Sequence, residues 1–286
     1  ARPYLERALA IRERVLGPNH PNTASSLNNM GSLLCAQGDL AGARPYFERA
    51  LAIYERVLGP EHPDTATSLN NLGSLLQAQG DLAKARLTYE RALAIRERVL
   101  GLNHPDTAQS LNNLGDLLQD QGDLAGARPY FERALAIYER VLGPEHPDTA
   151  TSLNDLSGLL QAQGKYEEAQ RYKQRVLTIY EKVLGREHPW TATALNNLGS
   201  LLQAQGDLAG ARPLLERALA IRERVLGPEH PDTAISYVNF GMLLANLGEK
   251  EKARALLERA AAVFLARLGP DHQYTRIALG HLASLR

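Results

Sequence analysis

Seven of the chain's eight histidines, His20, His62, His104, His146, His188, His230 and His272, follow one another at intervals of 42 residues without a slip. A single globular core imposes no such period. A fixed spacing of that length belongs to a chain that repeats one supersecondary unit, each copy burying its apolar face against its neighbours. One unit, residues 62–103, reads HPDTATSLNNLGSLLQAQGDLAKARLTYERALAIRERVLGLN. Residues 37–70 and 121–154 are the same 34 letters two repeats apart, as duplication of a double unit would leave them. Any recognition surface is therefore expected to be assembled from many copies rather than from one pocket.

Each unit contains two helical patterns. In the first, Leu69, Leu72, Gly73 and Leu76 recur at i, i+3, i+4 and i+7, one apolar face. The segment QGD ends it: Gly80 suits a left-handed cap and Asp81 an N-cap for the next helix. In the second pattern Leu40, Ala43, Phe47, Ala50, Tyr54 and Val57 form the stripe, and Arg44, Glu48, Arg49, Glu55 and Arg56 are expected in solvent. Gly59 and Pro60 stop this helix, Pro63 suits the first turn of the next, and Asp64 sits near its positive end. Pro45, Pro129 and Pro213 fall inside second-type helices, an arrangement that normally costs about 3 kcal/mol each.

The punctuation predicts fourteen helices and no strand, in an all-α chain that forms one array over residues 1–286. Its parts are a half-unit 1–20, units 21–62, 63–104, 105–146, 147–188, 189–230 and 231–272, and a terminal helix 273–286. Both ends fall mid-unit, so the chain reads as a segment of a longer protein.

Charge narrows the partners. Lys plus Arg equals Asp plus Glu at 32 each, and no basic stripe appears, which argues against nucleic acid and anionic membrane. With Cys35 as the one cysteine no intramolecular disulfide can form, and a cytoplasmic setting is expected. No apolar run approaches the roughly 18 residues that span a bilayer.

Leu27, Met30-Gly31, Leu34, Ala43, Phe47 and Ala50, in that order, resemble the tetratricopeptide repeat. The closing proline is displaced: Glu55 stands in its place and the stop comes at Pro63. That offset matches the difference between a repeat of 42 and the usual ~34 residues, lengthening the second helix by about two turns. LNNLG followed by QGDL or QGKYEEA and closed by LGPEHP is similar to the kinesin light chain subclass. The resemblance implies a right-handed superhelix, an α-solenoid of about seven helix–turn–helix units, whose first helices line a concave groove.

Chemistry-bearing patterns favour binding over catalysis. The ladder histidines stand one repeat apart, too far to share a metal, and are read as ordering the inter-repeat loop. Gly31, Gly73, Gly115, Gly199 and Gly241 lack a strand–loop–helix context, so they mark close helix approach rather than phosphate cradles. No cofactor, metal site or catalytic set is expected. Opposite the apolar face runs a polar stripe: Asn28, Asn29, Asn70, Asn71, Asn112, Asn113, Asn154, Asp155, Asn196, Asn197 and the partial copy Asn239. Ser32, Ser74, Ser200 and Asp116 lie on the same side, with Gln77, Gln119, Gln161 and Gln203 about a turn further on. A carboxamide both donates and accepts, which matches the backbone of an extended segment. Equally, the Asn residues could bond one another across the stack, with one of each pair purely structural.

Copies differ on that stripe at Cys35, Gln109, Asp116, Asp120, Asp155, Ile235, Met242 and Asn246, and no Lys or Arg appears there. Asp116, Asp120 and Asp155 therefore predict a neutral or mildly basic partner segment. Grooves of this fold that clamp an acidic tail use Lys and Arg at such positions, and the light chains' acidic, tryptophan-containing cargo also meets basic groove residues. Trp190 replaces the usual Asp after His-Pro, as a partner hot spot or as packing beside Gly185-Arg186-Glu187. The expected function is a non-catalytic scaffold that binds a protein or extended peptide. Two other readings stay open: the sensor arm of a larger signalling protein, and a structural spacer that self-associates end to end through its half-unit ends.

Overall fold

The computed structural model describes residues 2–285; Ala1 and Arg286, the outermost positions of the first half-unit and terminal helix, lie outside the described residues. Among those described there are fourteen α-helices and no strand. First-type helices are α2 (Pro21–Ala36), α4 (Pro63–Ala78), α6 (Pro105–Asp120), α8 (Pro147–Ala162), α10 (Pro189–Ala204), α12 (Pro231–Asn246) and α14 (Gln273–Ser284). Second-type helices are α1 (Arg2–Leu16), α3 (Leu40–Val57), α5 (Leu82–Val99), α7 (Leu124–Val141), α9 (Tyr166–Val183), α11 (Leu208–Val225) and α13 (Lys250–Leu268).

The HPDTA segment explains every first-type start. The ladder histidine is itself the N-cap: its Nδ1 accepts the backbone N–H two residues on, at 3.0 Å from Asn22 and 3.1 Å from Asp64. Proline then occupies the first turn of α2 to α12, where its missing N–H costs nothing. The threonine hydroxyl donates to the carbonyl of the glycine six residues back, Thr65 to Gly59 at 2.8 Å and Thr233 to Gly227 at 2.8 Å. Those glycines stand at φ 98° and 87°, a region that suits glycine alone. Alanine closes the motif with Ala66, Ala108 and Ala150 fully buried. The histidine was expected to order the loop; it does so through one specific bond.

QGD starts the second-type helices in the same manner. Asp39, Asp123 and Asp207 accept from Gly42, Gly126 and Gly210 at 2.8, 2.8 and 2.9 Å. Lys165 and Glu249 replace Asp before α9 and α13, and neither side chain caps. The interior prolines leave α3, α7 and α11 unbroken, and Pro45, Pro129 and Pro213 are exposed. One stripe assignment changes: Val57 is 47% exposed, while Ile53, one turn earlier, is buried. The helix has turned Val57 past the packed face by that point.

The chain packs as two compact units, Ala1–Pro144 and Glu145–Arg286. In each, the first-type helices α2 to α12 lie most extensively against the second-type helix that follows, as α4 does on α5 and α10 on α11, and α14 packs on the preceding α13. Successive pairs stack through contacts such as α3 on α4 and α11 on α12, so each unit is a run of helix pairs in tandem. The close approach expected at the glycines is present: a methyl on Gly115 would fall 2.8 Å from the Phe131 ring, and one on Gly73 2.6 Å from Tyr89. Ion pairs run along the outer helices, Arg91–Glu55 and Arg133–Glu97 at 2.7 Å in the first unit and Arg259–Glu223 at 3.0 Å in the second. Such exposed pairs contribute at most about 1 kcal/mol apiece.

Candidate functional site

Within each unit the first-type helices come closest to their own kind. α2 touches α4 and α4 touches α6 in the first unit, and α10 touches α12 in the second, whereas no two second-type helices meet to that extent. A stack in which one set of helices converges and the other splays curves toward the converging set. The polar stripe is carried by this set of first-type helices.

The two asparagines of each pair behave differently. The first is sealed between layers: Asn28, Asn70, Asn112 and Asn196 are all buried. Asn70 Nδ2 donates to Ser110 Oγ at 2.9 Å, and Asn196 Nδ2 to Ser236 Oγ at 2.7 Å. Ser68 Oγ donates to Asn28 Oδ1 at 3.4 Å. These carboxamides bond a serine 40 residues on, in the following repeat, and a ligand backbone cannot reach them. They are corrected to structural positions. For Asn154 of the fourth repeat the serine 40 residues on is replaced by Ala194, and Asn154 Oδ1 instead accepts from Asn197 Nδ2 at 3.0 Å.

The second asparagine faces outward. Asn29 is exposed and Asn71, Asn113 and Asn239 are half-buried. None of these four carboxamides has a hydrogen-bond partner among the described residues. Ser32, Ser74 and Asp116 are exposed beside them, and Ser200, Asp155 and the four glutamines Gln77, Gln119, Gln161 and Gln203 are half-buried. Gln77 is already engaged, donating to Asp120 at 2.6 Å and accepting the Tyr89 hydroxyl at 3.1 Å.

Electrostatics vary along this face. Asp116 stays open to solvent but lies in a recess whose desolvation, with Asp120 one turn away, pushes its carboxyl up to about 6. Burial also pushes the Tyr89 phenol up to about 12. Beneath the stripe, second-type helices supply cations that a reading of the first helices alone could not find. Arg96 is 2% exposed and donates through Nη1 to Asp106 O (2.7 Å) and Ser110 Oγ (2.9 Å) and through Nη2 to Thr67 Oγ1 (3.2 Å). Arg222 repeats this with Asp232 O, Ser236 Oγ and Thr193 Oγ1 at 2.8, 3.0 and 2.8 Å. Burial pushes both guanidinium groups below their ordinary value. Lys173 is buried as well, in the place that Phe47, Tyr89 and Phe131 fill in other repeats. The signal was in the sequence, as a lysine at an otherwise apolar position facing the Ser157-Gly158 inversion.

Trp190 combines both sequence readings. Its ring sits 5.8 Å from Tyr180 and 6.3 Å from His188, yet 51% of its surface is open. Cys35 is half-buried, and burial pushes its thiol up, away from nucleophile chemistry. Among the described residues no three His, Cys, Asp or Glu side chains gather to hold a metal ion, and no helix is long and apolar enough to cross a membrane. A shallow depression bounded by Gly164, Tyr166, Glu167, Arg171 and Gln205 lies at the α8–α9 turn, apart from the stripe.

Helix pairs in tandem, capped by one repeated motif and presenting a polar face on converging first helices, define a helical-repeat protein. The chain belongs to the tetratricopeptide repeat family, whose model matches residues 1–54, 23–98, 73–139, 106–182, 155–223 and 190–266. Repeats of this family generally mediate protein–protein interactions, and such folds are typically non-catalytic scaffolds. Among solved structures the chain is similar to a Podosopora anserina protein with kinesin light chain, nearly identical TPR-like repeats. The match is at 29% identity and TM-score 0.62, over 73% of this chain and 99% of that one. It is also similar to BtubC (BKLC) of P. vanneervenii at 25% identity and TM-score 0.64, over 93% and 92% of the two chains. The light-chain-like character expected from LNNLG and LGPEHP is therefore found in the structural neighbours too. No curated protein sequence matches the chain.

Proposed function

We propose that the chain acts as one scaffold array whose inner face binds an extended protein segment through the outward asparagines. Asn29, Asn71 and Asn113 in the first unit, and Asn239 in the second, offer a donor and an acceptor at a fixed repeat spacing. One observation carries this reading. The neighbouring Asn28 and Asn70 are engaged in inter-repeat bonds, while Asn29, Asn71, Asn113 and Asn239 remain unpaired among the described residues. A carboxamide that serves neither packing nor capping in a helix, where Asn is a mediocre former, is explained by something outside the fold. Near Asp116 and Asp120 the face suits a neutral or mildly basic stretch of the segment.

The test is alanine at Asn29, Asn71 and Asn113 together, read by binding to a partner captured with the wild-type chain. The expected result is loss of binding with the melting temperature unchanged. Retained affinity would reject the mechanism. Asn70→Ala is the contrasting control: it removes one of the two donors to Ser110 Oγ, leaving Arg96, and costs about 0.5–1.5 kcal/mol of stability.

A further inference from the structure

The fourth repeat departs from its neighbours at three positions that meet in space. Ser157 stands where other repeats have the close-approach glycine, Gly158 where they have Ser, Asp or Met, and Lys173 where they have Phe, Tyr or Leu. The exchange is correlated. An aromatic ring needs glycine opposite it, as Phe131 needs Gly115, whereas a thin lysine chain leaves room for the Ser157 side chain, which is fully buried.

At the equivalent place Tyr89 runs past Gly73 and delivers its hydroxyl to Gln77 and the charge of Asp116 and Asp120 on the polar stripe. Two repeats on, the positions of Gln77, Asp116 and Asp120 are held by Gln161 on α8 and by Ser200 and Ala204 on α10, with Lys173 in the place of Tyr89. There the two acids of the other site are replaced by a hydroxyl and a methyl. Gly158 leaves open space, since a Cβ there would meet nothing within 4 Å. Lys173 is 6% exposed, and its ammonium has no hydrogen-bond or ion-pair partner among the described residues. Burial alone pushes its amine below the usual lysine value, with no neighbouring charge acting on it.

We infer that Lys173, reached through the gap at Gly158 and flanked by Gln161 and Ser200, is a socket for one carboxylate side chain of the bound segment. The inference rests on the inner-face reading above and adds a specificity residue to it. A single desolvated cation matches a single negative charge, and the carboxamide of Gln161 and hydroxyl of Ser200 can complete the oxygen's hydrogen bonds. A dianionic phosphate would leave one charge uncompensated in a low-dielectric recess. This revises the expectation of a uniformly neutral or basic ligand, which came from first-helix residues only.

Lys173→Met tests it, since methionine keeps the length and removes the charge; the variant should fold and melt above wild type. Two measurements follow. In lysine-labelled protein, the Lys173 side-chain NMR signal, assigned by its loss in Lys173→Met, should shift saturably with sodium acetate but not with sodium chloride at equal ionic strength. Identical responses to the two salts would mean the amine merely reaches water, and would overturn the socket. Selection of random dodecapeptides should enrich Glu or Asp at one position on the wild type and lose that enrichment, at least tenfold, on Lys173→Met. Peptides bound equally by both proteins with no acid preference would sink the role of Lys173 while leaving the inner face intact. Failure to select any peptide, with acetate still shifting Lys173, would instead reject the inner-face reading and assign the socket to a free carboxylate.

Discussion

Single residues in this chain are constrained by what stands one helix away. Gly115 is required by the Phe131 ring, so Gly115→Ala should cost about 1–3 kcal/mol in urea unfolding through overpacking. Ser157 stands in the glycine's place with no ring opposite it, and Ser157→Ala should cost only its hydrogen bond to the Asn154 carbonyl, about 0.5–1.5 kcal/mol. The glycine series was legible as close approach from its place on the apolar face; that the fourth repeat had re-solved the same contact was not, because its two halves lie sixteen positions apart on different helices. Asp116 supplies a second residue-level test. Its folded carboxyl titrates at about 6, above the roughly 4 of an unfolded chain. The folded state therefore holds the proton more tightly, and its contribution is present below pH about 4 and lost as pH rises through about 6. Asp116→Asn removes that dependence. Thermal melts from pH 3 to 8 should show wild type losing ground to the variant across that window, and parallel curves would refute the recess.

Helices here are delimited by caps rather than by propensity. The ladder histidine, the helix-starting proline and the left-handed glycine set each first-type start, and all of these were readable because they act within about six residues. Two second-type helices lack the aspartate cap, and the consequence can be measured. Lys165→Asp should restore a bond to the backbone of α9 and raise stability by about 1 kcal/mol, read as an increased denaturation midpoint at unchanged slope. The Val57 assignment failed at this same scale. An apolar residue in the last turn of a long helix continues the pattern in the sequence, but the helix has by then turned it away from the packed face.

Over the whole molecule stability is a sum of neighbour contacts, because each helix pair touches only the pairs beside it. A chain ending at Pro144 should keep the helical circular dichroism per residue of the full chain. Collapse of that signal would show that the first unit depends on the second. Period, helix number and helix boundaries followed from the amino-acid order alone, since each is written in caps and apolar spacings within one unit. Tertiary structure decided which asparagine of a pair is sealed and which is offered, and that Arg96, Lys173 and Arg222 bring positive charge beneath a polar stripe that itself carries no Lys or Arg. The reason is physical: Asn70 finds Ser110 40 residues away only after repeats stack, and that register cannot be expressed by neighbours along the chain.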